Sequence, residues 1–139
     1  MNRTLLDTDI LSDFLRGKDA NVQRRAAAYL DEHGRLSLSA VTVFEVVRGR
    51  HQAQQAERAV QFLAWSQTAD VLAFDDRCAQ IGGEIAGALL RAGLTVGVAD
   101  LLIAATAIAN RLVLATANLG DYQRMQRFGL VVENWREPI

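Results

Sequence analysis

Residues 5–12 of the chain, LLDTDILS, place two aspartates between apolar residues. Aspartate is unfavourable in a strand and in the interior of a helix, so Asp7 and Asp9 mark a boundary between two elements. We expect a short buried strand over residues 3–6 and a helix that runs from Thr8 and ends at Gly17. A carboxylate at such a turn either caps the helix or belongs to a binding site at the edge of a sheet.

The composition indicates one globular domain over residues 1–139, because half of the residues are hydrophobic. A single cysteine and two histidines exclude an internal disulfide, a cysteine-based zinc site and a histidine-rich metal site. No segment approaches the ~18 apolar residues that a membrane span requires. Acidic residues also follow the N-terminus too closely for a signal peptide. We therefore expect a cytoplasmic protein with no membrane association.

Short apolar segments typical of strands alternate with helical segments along the rest of the chain. Further strands are predicted within residues 35–39, 69–74, 112–116 and 130–135. Helices are predicted from Asn21 to Glu32, from near Thr42, over about 53–67, 77–91 and 98–111, and briefly after 117. Repeated strand–helix units predict a three-layer α/β/α sandwich with a mostly parallel central sheet of four to five strands.

Acidic residues recur where the predicted elements meet one edge of this sheet. Asp7 follows the first predicted strand, Glu45 lies at the start of the helix after the second, and Asp121 follows the fourth. Asp100 opens the helix that leads into the fourth strand. Because ligands of open parallel sheets bind beyond the carboxyl ends of the strands, we expect the four side chains to converge on one crevice.

Four carboxylates in one crevice repel one another, and a hard divalent cation such as Mg²⁺ or Mn²⁺ would remove that repulsion. The corresponding chemistry is attack of metal-activated water on a phosphodiester. Each acid taken singly also has a structural interpretation. Asp7 is placed to cap a helix, and Glu45 has Arg48 and Arg50 close in sequence as ion-pair partners.

Four motifs in this order resemble those of the PIN-domain ribonuclease toxins of the VapC type, the toxic halves of VapBC toxin–antitoxin pairs. Three of them are LLDTDILSDFLRG with Asp7, SAVTVFEVVRG with Glu45, and VADLLIAATA with Asp100. The fourth, LVLATANLGDYQRM, is similar to a Thr-x-Asn-x-x-Asp-aromatic pattern and contains Thr116, Asn118, Asp121 and Tyr122.

The resemblance implies a PIN-like α/β/α sandwich in which Asp7, Glu45, Asp100 and Asp121 are catalytic and hold Mg²⁺ or Mn²⁺. It implies a metal-dependent endoribonuclease toxin of a type II toxin–antitoxin pair, which cleaves RNA such as tRNA or rRNA and inhibits translation. It also implies a homodimer and a cognate antitoxin whose tail occupies the active-site groove, with higher assembly in the complex.

Two features depart from the family pattern. Asp9 stands where the family often has Asn or Ser; we expect it to support the acids, together with Thr116 and Asn118. The net charge is −1, so the chain lacks the strongly basic character common among nucleic-acid-binding domains. Contacts to RNA or antitoxin are therefore assigned to cations next to the motifs, which are Arg16, Lys18, Arg48 and Arg50.

Two other functions are compatible with parts of this pattern. A catalytically inactive PIN-like binding module would be expected to lack at least one of the four acids, but all are present. The sequence LLDTDIL also looks superficially like the Asp-x-Asp turn of aspartate-based phosphoryl-transfer enzymes. Those enzymes need a lysine far downstream of the aspartate, whereas Lys18 is the only lysine of this chain.

Overall fold

A five-stranded sheet forms the centre of the computed structural model, which describes residues 1–139. The strands are Thr4–Leu6 (β1), Ser37–Ser39 (β2), Asp70–Leu72 (β3), Val113–Ala115 (β4) and Val132–Glu133 (β5). They pair in the order β3-β2-β1-β4-β5, and every neighbouring pair is parallel. The predicted three-layer sandwich with a parallel sheet is therefore confirmed, although each strand is shorter than the apolar segment that predicted it.

Seven helices cover the sheet. They are Thr8–Arg16 (α1), Ala20–His33 (α2), Ala40–Gln52 (α3), Ala56–Ser66 (α4), Asp76–Arg91 (α5), Val98–Ala109 (α6) and Leu119–Gln123 (α7). A short 3₁₀ helix, Gln126–Phe128, follows α7. None of the helices combines the length and the hydrophobicity that crossing a membrane requires.

Alternation along the central strands divides the core into two clusters, one on each face of the sheet. Leu6 and Ala115 face a cluster that contains buried residues of α1, α2 and α4. Leu5 and Leu114 face the other cluster, with buried residues of α5, α6 and α7. Successive strand residues point to opposite faces, so β1 and β4 are fully buried and fix the positions of the residues that follow them.

The start of the third helix differs from the sequence prediction. It begins at Ala40 and not near Thr42, because Ser39 caps it: the Ser39 hydroxyl accepts a hydrogen bond from the Thr42 amide at 3.0 Å. The β-branched residues of this segment favour a strand. Packing of Val43, Val46 and Val47 against the first core cluster compensates for that preference.

The boundary between α3 and α4 also lies later than predicted. The helix predicted from about residue 53 begins at Ala56, and α3 continues to Gln52. Gln54 adopts a positive φ of 57°, which interrupts the helical path between the two. The resulting turn brings the start of α4 back beside the end of α3.

Candidate active site

The strand order creates a switch point between β1 and β4, where the chain first builds the sheet to one side and then to the other. Ligands of open α/β sheets bind at such a point, beyond the carboxyl ends of the strands. Leu6 pairs with Ala115 in register, so the next residues, Asp7 and Thr116, are neighbours across the switch point. The Asp7 amide donates to the Ala115 carbonyl at 2.9 Å.

Asp7 is 5% exposed and accepts three hydrogen bonds. Its Oδ1 accepts from the Thr8 amide at 2.8 Å, which caps α1. Its Oδ2 accepts from the Thr116 hydroxyl at 2.8 Å. Its Oδ1 also accepts from the Tyr122 hydroxyl at 2.9 Å. The structural and functional interpretations of Asp7 are thus compatible, because one carboxylate caps the helix and lies at the switch point.

Tyr122 connects Asp7 to Asp100. Its side chain is fully buried, and its hydroxyl oxygen lies 3.1 Å from Asp100 Oδ1 as well as near Asp7. Burial and the two carboxylates raise the pKa of this phenol strongly, so the hydroxyl keeps its proton and acts as a donor. In the sequence, Tyr122 is recognisable only as the aromatic residue of the fourth motif, and its contact with the acids was missed.

Asp121, which belongs to α7, lies beside Asp100, which belongs to the first turn of α6. Its Oδ2 accepts a hydrogen bond from the Gly97 amide at 2.7 Å. A Cβ added to Gly97 would lie 3.3 Å from Asp121 Oδ2 and 3.7 Å from Asp100 Oδ2. Glycine at this position therefore lets the backbone approach both carboxylates closely.

Glu45 reaches the site from α3 and ends a chain of hydroxyl groups. Its Oε1 accepts from the Thr8 hydroxyl at 2.7 Å. Thr8 Oγ1 lies 3.0 Å from Thr42 Oγ1, which lies 3.3 Å from the Ser39 hydroxyl. Because the Thr8 proton goes to Glu45, the Thr42 hydroxyl is the donor to Thr8. None of the three ion pairs of the structure includes Glu45, so the alternative interpretation of Glu45 as an ion-pair partner of Arg48 or Arg50 is not supported.

The residues expected to support the acids connect the surrounding loops. Asp9 Oδ1 accepts from the Ile10 amide at 2.7 Å, and its Oδ2 accepts from the Ala117 amide at 3.2 Å. The Asn118 amide donates to the Thr116 hydroxyl at 3.0 Å, and its side chain caps α7. Asp9 thereby joins the first turn of α1 to the loop after β4.

No arginine, lysine or histidine forms an ion pair with the carboxylates of the site. Burial, with the nearby charge of Asp9, raises the pKa of Asp7 to about 7. Burial and the neighbouring Asp121 and Glu45 raise the pKa of Asp100 to about 6. A carboxylate paired with arginine or lysine would have a lowered pKa instead.

The donor chemistry suits Mg²⁺ or Mn²⁺, since every side chain of the set offers carboxylate or hydroxyl oxygen. No three acidic, histidine or cysteine side chains are grouped closely enough in this conformation to hold a metal ion. The carboxylates are instead held by hydroxyl and amide donors. Coordination of one ion by several of them would therefore require local side-chain rearrangement.

A cleft of about 710 Å³ extends from Glu45 between the end of α1 and the α3–α4 turn. Its lining includes the cations Arg16, Lys18, Arg50 and Arg58. Arg58 was missed from the sequence, because its proximity depends on that turn. Arg48 is not among the lining residues; its guanidinium lies 5.2 Å from the centre of the Phe44 ring.

Comparisons with known proteins identify the family and the fold. A family model described as PIN domain matches residues 4–127. The chain is 31% identical over 136 residues to the tRNA(fMet)-specific endonuclease VapC of Shigella flexneri, covering 97% of this chain and 99% of that protein. DNA-bound VapBC from Salmonella typhimurium superposes with a TM-score of 0.82 at 27% identity, covering 97% and 99% of the two chains. VapBC-1 from nontypeable Haemophilus influenzae gives a TM-score of 0.83 at 25% identity, covering 96% and 98%.

Proposed function

The chain belongs to the PIN domain family, and on that premise we propose that it is a metal-dependent endoribonuclease toxin of a toxin–antitoxin pair. It cleaves RNA, such as tRNA or rRNA, and thereby inhibits translation in the cytoplasm. The observation that carries this proposal is that Asp7 and Asp100 both lie within hydrogen-bond distance of the Tyr122 hydroxyl at the switch point. Glu45 is held there by Thr8, and Asp121 by the Gly97 amide. The family membership favours this function over aspartate-based phosphoryl transfer.

The four acids would hold Mg²⁺ or Mn²⁺ after local rearrangement. Such a cation supplies Lewis acidity toward a phosphodiester and lowers the pKa of a water nucleophile. Thr116 and Thr8 hold the carboxylates of Asp7 and Glu45 through their hydroxyl groups. Asp9 holds the loop after β4 against α1. These contacts keep the acids near the switch point, so that binding an ion would require only local side-chain rotation.

The cleft beside Glu45 supplies the cations that an RNA backbone needs. Arg16, Lys18 and Arg58 are exposed at its wall and are proposed to contact phosphates. Arg50 is half-buried, donates to the Arg58 carbonyl at 2.5 Å and lies over the Phe62 ring, so we assign it to holding α3 against α4. A local basic cleft provides electrostatic attraction although the whole chain has a net charge of −1.

The same cleft is proposed to receive the tail of a cognate antitoxin. Both solved relatives named above are VapBC complexes. We propose that this chain likewise forms a homodimer and a higher assembly with its antitoxin. Occupation of the cleft by the antitoxin would exclude RNA from the acids and thereby keep the toxin inactive.

Cleavage of total cellular RNA by the purified protein tests the proposed function. We expect discrete fragments from one class of RNA in Mg²⁺ or Mn²⁺, loss of cleavage in EDTA, and recovery when Mn²⁺ is added in excess. Fragments can be identified by sequencing of the new 5′ ends. Cleavage that persists in EDTA would contradict metal dependence. Absence of cleavage, with metal binding measured, would support the inactive binding module instead.

The proposed phosphate contacts make a second prediction. Arg58→Ala is expected to weaken binding of the identified RNA by roughly 3- to 10-fold and to reduce the slope of log affinity against log salt by about 0.7–0.9, as for one lost phosphate contact. Binding can be measured at several salt concentrations in EDTA, which prevents cleavage. Arg91→Ala is the matched control, since Arg91 is exposed at the end of α5 on the other face of the sheet. Equal slopes for the two variants would remove Arg58 from the RNA interface.

A further inference from the structure

We propose that Tyr122 is a positioning residue that fixes the carboxylates of Asp7 and Asp100 relative to each other through its hydroxyl group. The inference deepens the proposed function, on which it rests for the role of the two acids. It concerns the hydroxyl alone and not the aromatic ring, which contributes to the core of the fold.

The two acids come from different parts of the chain. Asp7 follows β1, Asp100 lies in the first turn of α6, and Tyr122 belongs to α7. The hydroxyl oxygen lies 2.9 Å from Asp7 Oδ1 and 3.1 Å from Asp100 Oδ1. Tyr122 is the only residue that donates hydrogen bonds to both carboxylates. Three elements are therefore joined at one oxygen atom.

The position of the hydroxyl is set independently of the acids. The ring of Tyr122 is fully buried in the second core cluster, among residues such as Leu5, Ile103 and Met125. Packing of the ring therefore fixes the position of the hydroxyl. Because a buried hydroxyl without a partner is costly, hydrogen bonding to the two carboxylates is favoured there. The hydroxyl carries one proton, which it donates to one carboxylate at a time, and both carboxylates lie within hydrogen-bond distance of its oxygen.

Loss of the hydroxyl affects the two acids differently. Asp7 would keep its hydrogen bonds from the Thr8 amide and the Thr116 hydroxyl. Asp100 accepts its one hydrogen bond in this structure from Tyr122. Without it, repulsion from Asp121 and Glu45 is no longer opposed by a donor, and the Asp100 carboxylate is free to rotate away from Asp7.

The test is Mn²⁺ binding to Tyr122→Phe, measured by calorimetry with the metal alone and without RNA. Residues that orient metal ligands typically change metal affinity by about 10- to 100-fold when they are replaced. We expect the Kd for Mn²⁺ to rise about 10-fold in Tyr122→Phe, toward the lower end of that range, because Asp7 keeps its other donors.

Tyr29→Phe is the matched control. Tyr29 is also fully buried, and its hydroxyl bonds to the backbone of β1, accepting from the Thr4 amide at 3.1 Å and donating to the Thr4 carbonyl at 3.4 Å. This variant loses a buried hydroxyl that bonds to the backbone of β1 and not to an acid. We expect its Mn²⁺ affinity to equal that of the wild type.

A crystal structure of metal-free Tyr122→Phe separates this inference from the proposed function. Rotation of the Asp100 carboxylate away from its wild-type position would support the positioning role, even if the wild type binds no Mn²⁺, a result that would contradict metal dependence alone. An unmoved Asp100 carboxylate would overturn it, as would equal Mn²⁺ affinities of the two proteins when the wild type binds Mn²⁺.

Discussion

Replacing Asp100 with asparagine is expected to lower kcat/KM for RNA cleavage by about 10³-fold or more, because loss of a metal ligand removes several kcal/mol of stabilisation of the reacting phosphate. The change removes one negative charge and keeps the shape of the side chain. The asparagine oxygen can still accept from Tyr122, which lies 3.1 Å from Asp100 Oδ1 in the wild type. The fold should therefore be retained, and the loss would lie in the chemistry.

The measurement is a cleavage time course on the RNA identified for the wild type, with circular dichroism to verify folding. Asp31→Asn is the control, because Asp31 is an exposed acid on α2 outside the site. We expect the control to cleave at the wild-type rate. Retention of more than a tenth of the wild-type activity by a folded Asp100→Asn protein would contradict the assignment of Asp100 as a metal ligand.

The layers of the fold could be predicted from the sequence because they depend on local patterns. Apolar residues at helical spacing, caps such as Asp7, and Gly17 at the end of α1 identify each element separately. The start of α3 was placed two residues too late, since Ser39 was read as the end of a strand although it also caps the helix. One residue can serve both elements when a strand runs directly into a helix.

The location of the acids at one edge of the sheet could be predicted without the strand order, because parallel strands share one carboxyl edge. The contacts within the site could not. Thr116 meets Asp7 across 109 positions of sequence, and Tyr122 meets it across 115. These contacts depend on β1 pairing with β4 and on the place of α7, which no local pattern specifies. Thr8 and Arg58 were missed because their positions depend on the packing of α1 against α3 and on the α3–α4 turn, which local patterns do not specify either.

Asparagine at position 7 is expected to make the metal-free protein more stable than the wild type at pH 8. The pKa of Asp7 is raised from its ordinary value of 3.8 to about 7, so the folded state binds this proton more tightly than the unfolded state. The resulting stabilisation is complete below about pH 4 and is lost as the pH rises through about 7. An uncharged asparagine avoids that loss.

The difference in the free energy of unfolding should therefore depend on pH. We expect the two proteins to be similar at pH 4 and Asp7→Asn to be more stable at pH 8, by on the order of 2 kcal/mol after allowing for weaker hydrogen bonds. Urea denaturation in EDTA across this range measures it. Asp100 is present in both proteins, so its own raised pKa does not account for the difference. A difference that stays constant with pH would contradict the effect.

Excess Mn²⁺ at pH 8 is expected to reverse the order of stability. A ligand that binds only the folded state stabilises it by about 2.7 kcal/mol at one hundred times its Kd. The wild type gains this stabilisation, because the charge that destabilises its metal-free form is the charge that binds the cation. Asp7→Asn lacks that ligand and should gain little. Equal stabilisation of both proteins by Mn²⁺ would mean that the cation binds elsewhere, and the repulsion at Asp7 would then have no part in metal binding.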